Sequence, residues 1–101
     1  MKDKDTIYTT EQIRAILSPI FQTYHVQSAI LFGSYAKDTP QEKSDIDILV
    51  DSGLHGLAFY GLLEDVVMSL DKPIDLIDRS EIIPDSEIDN EIRRNGVLIY
   101  G

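Results

Sequence analysis

Apolar residues recur at Ile13, Ile16, Leu17, Ile20, Phe21 and Tyr24. Steps of three and four behind Thr9-Thr10 predict an amphipathic helix with a threonine cap. Pro19 falls inside it, where Ser18-Pro19 either kinks the helix or restarts it. Val26 to Phe32 is an apolar run ending at Gly33-Ser34, the pattern of a short buried strand entering a turn. Residues 38–44 are turn formers and charges, hence a loop. A β-branched strand follows over 45–51, then a second amphipathic helix over about 57–70 whose apolar set is Leu57, Phe59, Tyr60, Leu62, Leu63, Val66, Val67 and Leu70. Pro73 ends that helix and opens a third strand at Ile74–Asp78. Pro84-Asp85-Ser86 can cap a short helix with Ile88 and Ile92 turned inward, closed by Asn95-Gly96 before a last strand at Val97–Tyr100.

The predicted order is α-β-(short α)-β-α-β-α-β, without repeat, low-complexity stretch or interior linker. It describes one domain over 9–101 behind a charged, flexible N-terminal segment, 1–8.

Composition narrows the chemistry. The chain has no cysteine, which excludes disulfides, thiolate zinc sites and cysteine nucleophiles. Its two histidines, His25 and His55, stand too far apart for a local metal motif, so any metal is a hard, oxygen-bound one. No apolar run is long enough to span a membrane and the first residues carry no signal-peptide pattern, so a cytoplasmic protein is expected. The formal charge of −9 would stay negative with two divalent cations bound, which argues against direct contact with nucleic acid. A small nucleotide carried with its metal, or a basic partner protein, fits better.

Alternation along residues 45–51 puts Ile46, Ile48 and Val50 on one face and Asp45, Asp47, Leu49 and Asp51 on the other. Asp45 and Asp47 then stand roughly 6–7 Å apart along the strand. Two carboxylates so placed repel, and a shared divalent cation relieves that repulsion; a merely solvated strand face would carry the same residues. In Ile74-Asp75-Leu76 the acid again faces away from its apolar neighbours, so Asp75 joins the pair if the two strands share a sheet. Asp51, Asp71, Asp78 and the acids from Glu87 to Glu91 read as solvated surface. Gly33-Ser34 would present backbone N–H groups and a hydroxyl to an anion, although a plain strand-to-helix turn has the same residues.

Gly33-Ser34, ten residues, then Asp45-Ile46-Asp47 resembles the signature of the minimal nucleotidyltransferases, in the DNA polymerase β-like nucleotidyltransferase superfamily. The likeness extends from about residue 10 through Ile74–Ile77 to Asn95–Tyr100. Lys37 and Asp38 depart from it, standing where the family usually has arginine and glycine. The resemblance implies an α+β nucleotidyltransferase fold, a mixed sheet of four or so strands with helices mainly on one face. It implies that Asp45, Asp47 and Asp75 are catalytic and bind two Mg²⁺ ions, with Asp75 on the nucleophile side. Gly33, Ser34, Lys37 and Ser44 would bind the nucleotide, ATP first. It also implies a hetero-oligomer with a HEPN-domain toxin, this chain being the antitoxin that transfers AMP onto it. Neutralisation by binding alone, and a small-molecule nucleotidyltransferase subunit, are the other readings.

Overall fold

The computed structural model describes residues 7–37 and 45–101. Helix α1 covers Thr10–Thr23, and Thr9 caps it in a reciprocal box: its hydroxyl accepts from the Gln12 amide, and the Gln12 side chain accepts from the Thr9 amide. Pro19 neither ends nor restarts the helix, which runs through it. Strand β1 (Ser28–Phe32) leads into a single 3-10 turn at Gly33–Tyr35, followed by β2 (Ile46–Asp51), α2 (Leu57–Leu70) and β3 (Ile74–Asp78). A second 3-10 turn, Arg79–Glu81, was not expected from the sequence; α3 (Glu87–Asn95) and β4 (Val97–Tyr100) follow. Ser86 caps α3 by accepting from the Asp89 amide, as its place before the helix predicts.

The sheet order is β3-β2-β1-β4, with β1 antiparallel to both neighbours and β2 parallel to β3. Parallel pairing needs a crossover, and α2 supplies it. The fold is thus α+β with a four-stranded mixed sheet, as expected. Ile13, Leu17 and Phe21 of α1 and Leu62, Val66 and Leu70 of α2 pack on one face against Leu31, Ile46, Ile48 and Val50. A smaller cluster on the other face joins Phe32 and Leu49 to Ile92 of α3. Two helices therefore cover one face, and α3 covers part of the other.

The two edges of the sheet are β3 and β4. Arg14 of α1 pairs with Glu11 and donates from Nη2 to the Leu98 carbonyl of β4 at 2.9 Å. No described helix is long and apolar enough to cross a membrane.

Three sequence expectations need correction. Tyr8, assigned to the flexible segment, is buried and donates to the Leu70 carbonyl at 2.6 Å; an aromatic ring with one satisfied polar tip belongs in a core. The rest of that expectation, residues 1–6, lies outside the described residues. Ile88, expected inward, is 42% exposed: it opens onto a groove beside Ile77, Ile82 and Ile83, while Ile92 one turn on packs with Phe32 and Leu49. Asp78, expected on the surface, is 5% exposed. It shares the core face of β3 with Leu76, and hydrogen bonds replace its water.

Candidate active site

Strand register brings the acidic residues together. Asp47 lies opposite Asp75 across the parallel β2–β3 pair and opposite Phe32 across β1–β2. Its neighbours Ile46 and Ile48 are fully buried, which fixes the strand's phase and turns Asp47 to the other face. Asp45 stands exposed just before β2, Asp47 is half-buried, and Asp75 is exposed on the edge strand. Burial first, then the charges of Asp75 and Asp45, raise the Asp47 pKa from 3.8 to about 6. Three carboxylates thus share one electrostatic neighbourhood. Among the described residues no three acidic or histidine side chains yet converge as a metal cage. The donor chemistry still fits a hard divalent cation: oxygen ligands only, and repulsion that a cation would relieve.

The turn after β1 closes over Asp47. Gly33 sits at φ +73°, and a Cβ placed there would lie 2.1 Å from Asp47 Oδ2. Only glycine lets the carboxylate lie against this backbone. The Gly33 carbonyl accepts from the Ala36 and Lys37 amides at 3.1 and 3.2 Å, which closes the turn. Tyr35, buried in the main core, anchors the turn from behind. Gly33→Ala is expected to cost about 1–2 kcal/mol, from the left-handed backbone and the displaced carboxylate, read as a lower midpoint in urea unfolding. A wild-type midpoint would mean that the contact with Asp47 is soft.

Lys37 is engaged elsewhere. Its ammonium pairs with Glu91 Oε1 of α3 at 3.0 Å, and Asn95 donates to the same carboxylate at 2.7 Å. The Asn95 hydrogen bond, then Lys37, holds the Glu91 carboxyl below its ordinary pKa. Ser44 and Asp38 lie outside the described residues. The structure therefore sets Asp47 opposite Asp75 and against Gly33, with Ser34 next in the turn and the Asp45 charge felt at Asp47, and ties Lys37 to α3.

Asp78, expected on the solvated surface, has a structural role that the sequence pattern does not show. Ser52 donates to its Oδ1 from the amide at 3.1 Å and from Oγ at 2.5 Å. Ser80 donates to Oδ2 from the amide at 3.0 Å and from Oγ at 2.6 Å. Burial pushes the carboxyl pKa up, but these four hydrogen bonds outweigh it and bring it down to about 2. Asp78 thereby ties the end of β2 to the end of β3, holding in register the two strands that carry Asp47 and Asp75.

A fold with an acidic pair on adjacent parallel strands and a glycine turn above it is that of a nucleotidyltransferase. The chain belongs to the family described as Polymerase beta, Nucleotidyltransferase, whose sequence model matches residues 15–101. Two Methanocaldococcus jannaschii proteins named as protein adenylyltransferases are 45% identical over 42 residues and 43% identical over 47. Those stretches are 42% and 43% of this chain and 45% and 48% of the relatives, so the match spans about half the length of each. Among solved structures, an antitoxin-containing toxin–antitoxin complex with AMP-PNP superposes with a TM-score of 0.74 at 25% identity, covering 87% of this chain and 73% of that one. A complex of tri-AMPylated Shewanella oneidensis HEPN toxin with MNT antitoxin gives 0.69 at 22% identity, over 92% and 73%; that likeness is one of fold.

Proposed function

We propose that this chain is a minimal nucleotidyltransferase of the antitoxin kind, which transfers AMP from ATP onto a HEPN-domain partner in the cytoplasm. The observation that carries the reading is Asp47 facing Asp75 across β2–β3 beneath the Gly33 turn. The protein adenylyltransferases among its relatives and the AMP-PNP-bound neighbour support it.

Asp45, Asp47 and Asp75 would hold two Mg²⁺ ions, which when bound neutralise the triphosphate and polarise the reacting oxygens. Gly33 and Ser34 offer amides and a hydroxyl to the terminal phosphates. A hydroxyl of the acceptor bonds to the α-phosphorus as the bond to pyrophosphate breaks. Pyrophosphate leaves with the electron pair, and the hydroxyl proton passes towards Asp75. The chain's part is orientation and charge. Its −9 charge suits a basic protein acceptor, not a nucleic acid. A second reading, neutralisation by binding alone, is favoured by Lys37: it stands where the family usually has arginine and is engaged by Glu91.

Two measurements test the proposal. ATP and Mg²⁺ together should stabilise the protein by about 2.7 kcal/mol at one hundred times the dissociation constant, and neither alone should approach this. Coexpression with the HEPN partner should add one or more AMP masses to it, and the Asp45→Ala, Asp47→Ala double variant should add none. Full protection of cells by the double variant, with no adduct from wild type, would establish the binding-only reading instead.

A further inference from the structure

Next to the carboxylates, on the same sheet face, lies an uncovered apolar groove of about 560 Å³. Its walls are Ile77 of β3, Ile82 and Ile83 after the second 3-10 turn, and Ile88 in the first turn of α3; Glu81 and Glu87 stand on its rim. Ile83 is 72% exposed and Ile88 42%. Aliphatic side chains clustered at one opening are the mark of a surface that receives something.

Its position says what. Ile77 follows Asp75 by two residues on the edge strand, so it faces the same way about 6–7 Å further along. A segment that lies in the groove and continues over Ile77 towards the start of β3 reaches Asp75, the carboxylate assigned to the nucleophile side. The nucleotide does not suit the groove: apart from Ser86, whose Oγ already accepts from the Asp89 amide, its lining is apolar or acidic, and Glu81 and Glu87 would repel phosphates. A second copy of a chain carrying −9 is disfavoured by the same charge.

We propose that this groove docks the acceptor polypeptide: a segment with apolar side chains for Ile77, Ile83 and Ile88, basic residues for Glu81 and Glu87, and a hydroxyl side chain delivered to Asp75. The inference rests on the nucleotidyl-transfer reading above. In the step it serves, the delivered oxygen forms the bond to the α-phosphorus as the bond to pyrophosphate breaks, pyrophosphate leaves with the electron pair, and the hydroxyl proton passes towards Asp75.

The probe is a fluorescein-labelled synthetic peptide of leucine and arginine around one tyrosine, with a serine version and a version with glutamate for arginine. Binding to the full chain is read by anisotropy, and AMP addition by mass spectrometry with ATP and Mg²⁺. Ile83→Glu and Ile88→Glu change exposed positions and should fold. Each should weaken peptide binding at least about tenfold and reduce the adduct, with the ATP–Mg²⁺ stabilisation unchanged. The acidic peptide should bind at least about tenfold more weakly than the basic one, and Met68→Glu, on the helix-covered side, should bind as wild type does. Absence of binding to wild type, equal binding by Ile88→Glu, or an equal loss in Met68→Glu overturns the groove. Absence of ATP–Mg²⁺ stabilisation overturns the transfer reading instead, and leaves the groove to be decided by anisotropy.

Discussion

Asp78→Ala is expected to destabilise the protein by about 3 kcal/mol, because the buried Ser52 amide and hydroxyl lose their acceptor, at about 1–3 kcal/mol for each buried group left unpaired. For a chain of this size that is a fall in Tm of more than about 10 °C, measurable by calorimetry. The difference depends on pH in a definite sense. The folded pKa, about 2, lies below the ordinary 3.8, so the carboxylate's contribution is complete above about pH 4 and is lost as pH falls through 2. Wild type and variant should therefore converge in strong acid. Loss of ATP–Mg²⁺ stabilisation is expected as well, since β2 and β3 lose the tie that keeps Asp47 opposite Asp75. A variant as stable as wild type at neutral pH would show that water replaces the carboxylate without cost.

Asp47→Asn should do the opposite and stabilise the metal-free protein. A carboxyl raised to about 6 in the folded state, against an ordinary 3.8, opposes folding once it ionises. The full shift corresponds to about 3 kcal/mol; with the group half exposed, solvent screening reduces this to about 1–2 kcal/mol. The sign is fixed by the direction of the shift. The penalty is complete above pH 6, shrinks as pH falls, and is gone below about pH 4, where the acid is neutral in both states. At pH 7.5 the variant should melt roughly 4–12 °C higher than wild type, and at pH 4 the two should coincide. With ATP and Mg²⁺ the order should reverse, because only the wild type supplies the third anionic ligand. Unchanged ATP–Mg²⁺ stabilisation in Asp47→Asn would remove Asp47 from the metal assignment.

These two aspartates show where sequence reading succeeds and where it stops. Asp47 was legible because its flanking isoleucines set the phase of a strand, and phase alone decides the face. Asp75 was legible by the same alternation, once β2 and β3 were taken as neighbours. Asp78 obeys the alternation too, yet it sits among core residues, and its burial depends on serines supplied by two separate loops. Ser80, two residues on, is the one local signal, since an aspartate often accepts from that amide. Helical spacing paired Ile88 with Ile92 but could not know that only Ile92 meets Phe32 and Leu49, while Ile88 opens onto a groove. The Lys37–Glu91 pair joins residues far apart in sequence, and no local pattern announces it.

The sheet ends on two open edges, and an open edge invites pairing with another molecule. On β3 the invitation is declined by charge: Asp75 stands exposed at the edge, so a second strand would have to desolvate it or match it. The same anion assigned to chemistry thus keeps the protein from stacking on itself. β4 has no such guard, since Val97-Leu98-Ile99-Tyr100 is wholly apolar or aromatic and carries no charge. There Arg14 reaches over from α1 and occupies the Leu98 carbonyl. One guanidinium thus stands at the uncharged edge of the sheet, and losing it would show in how long the protein keeps in solution before any change in its chemistry.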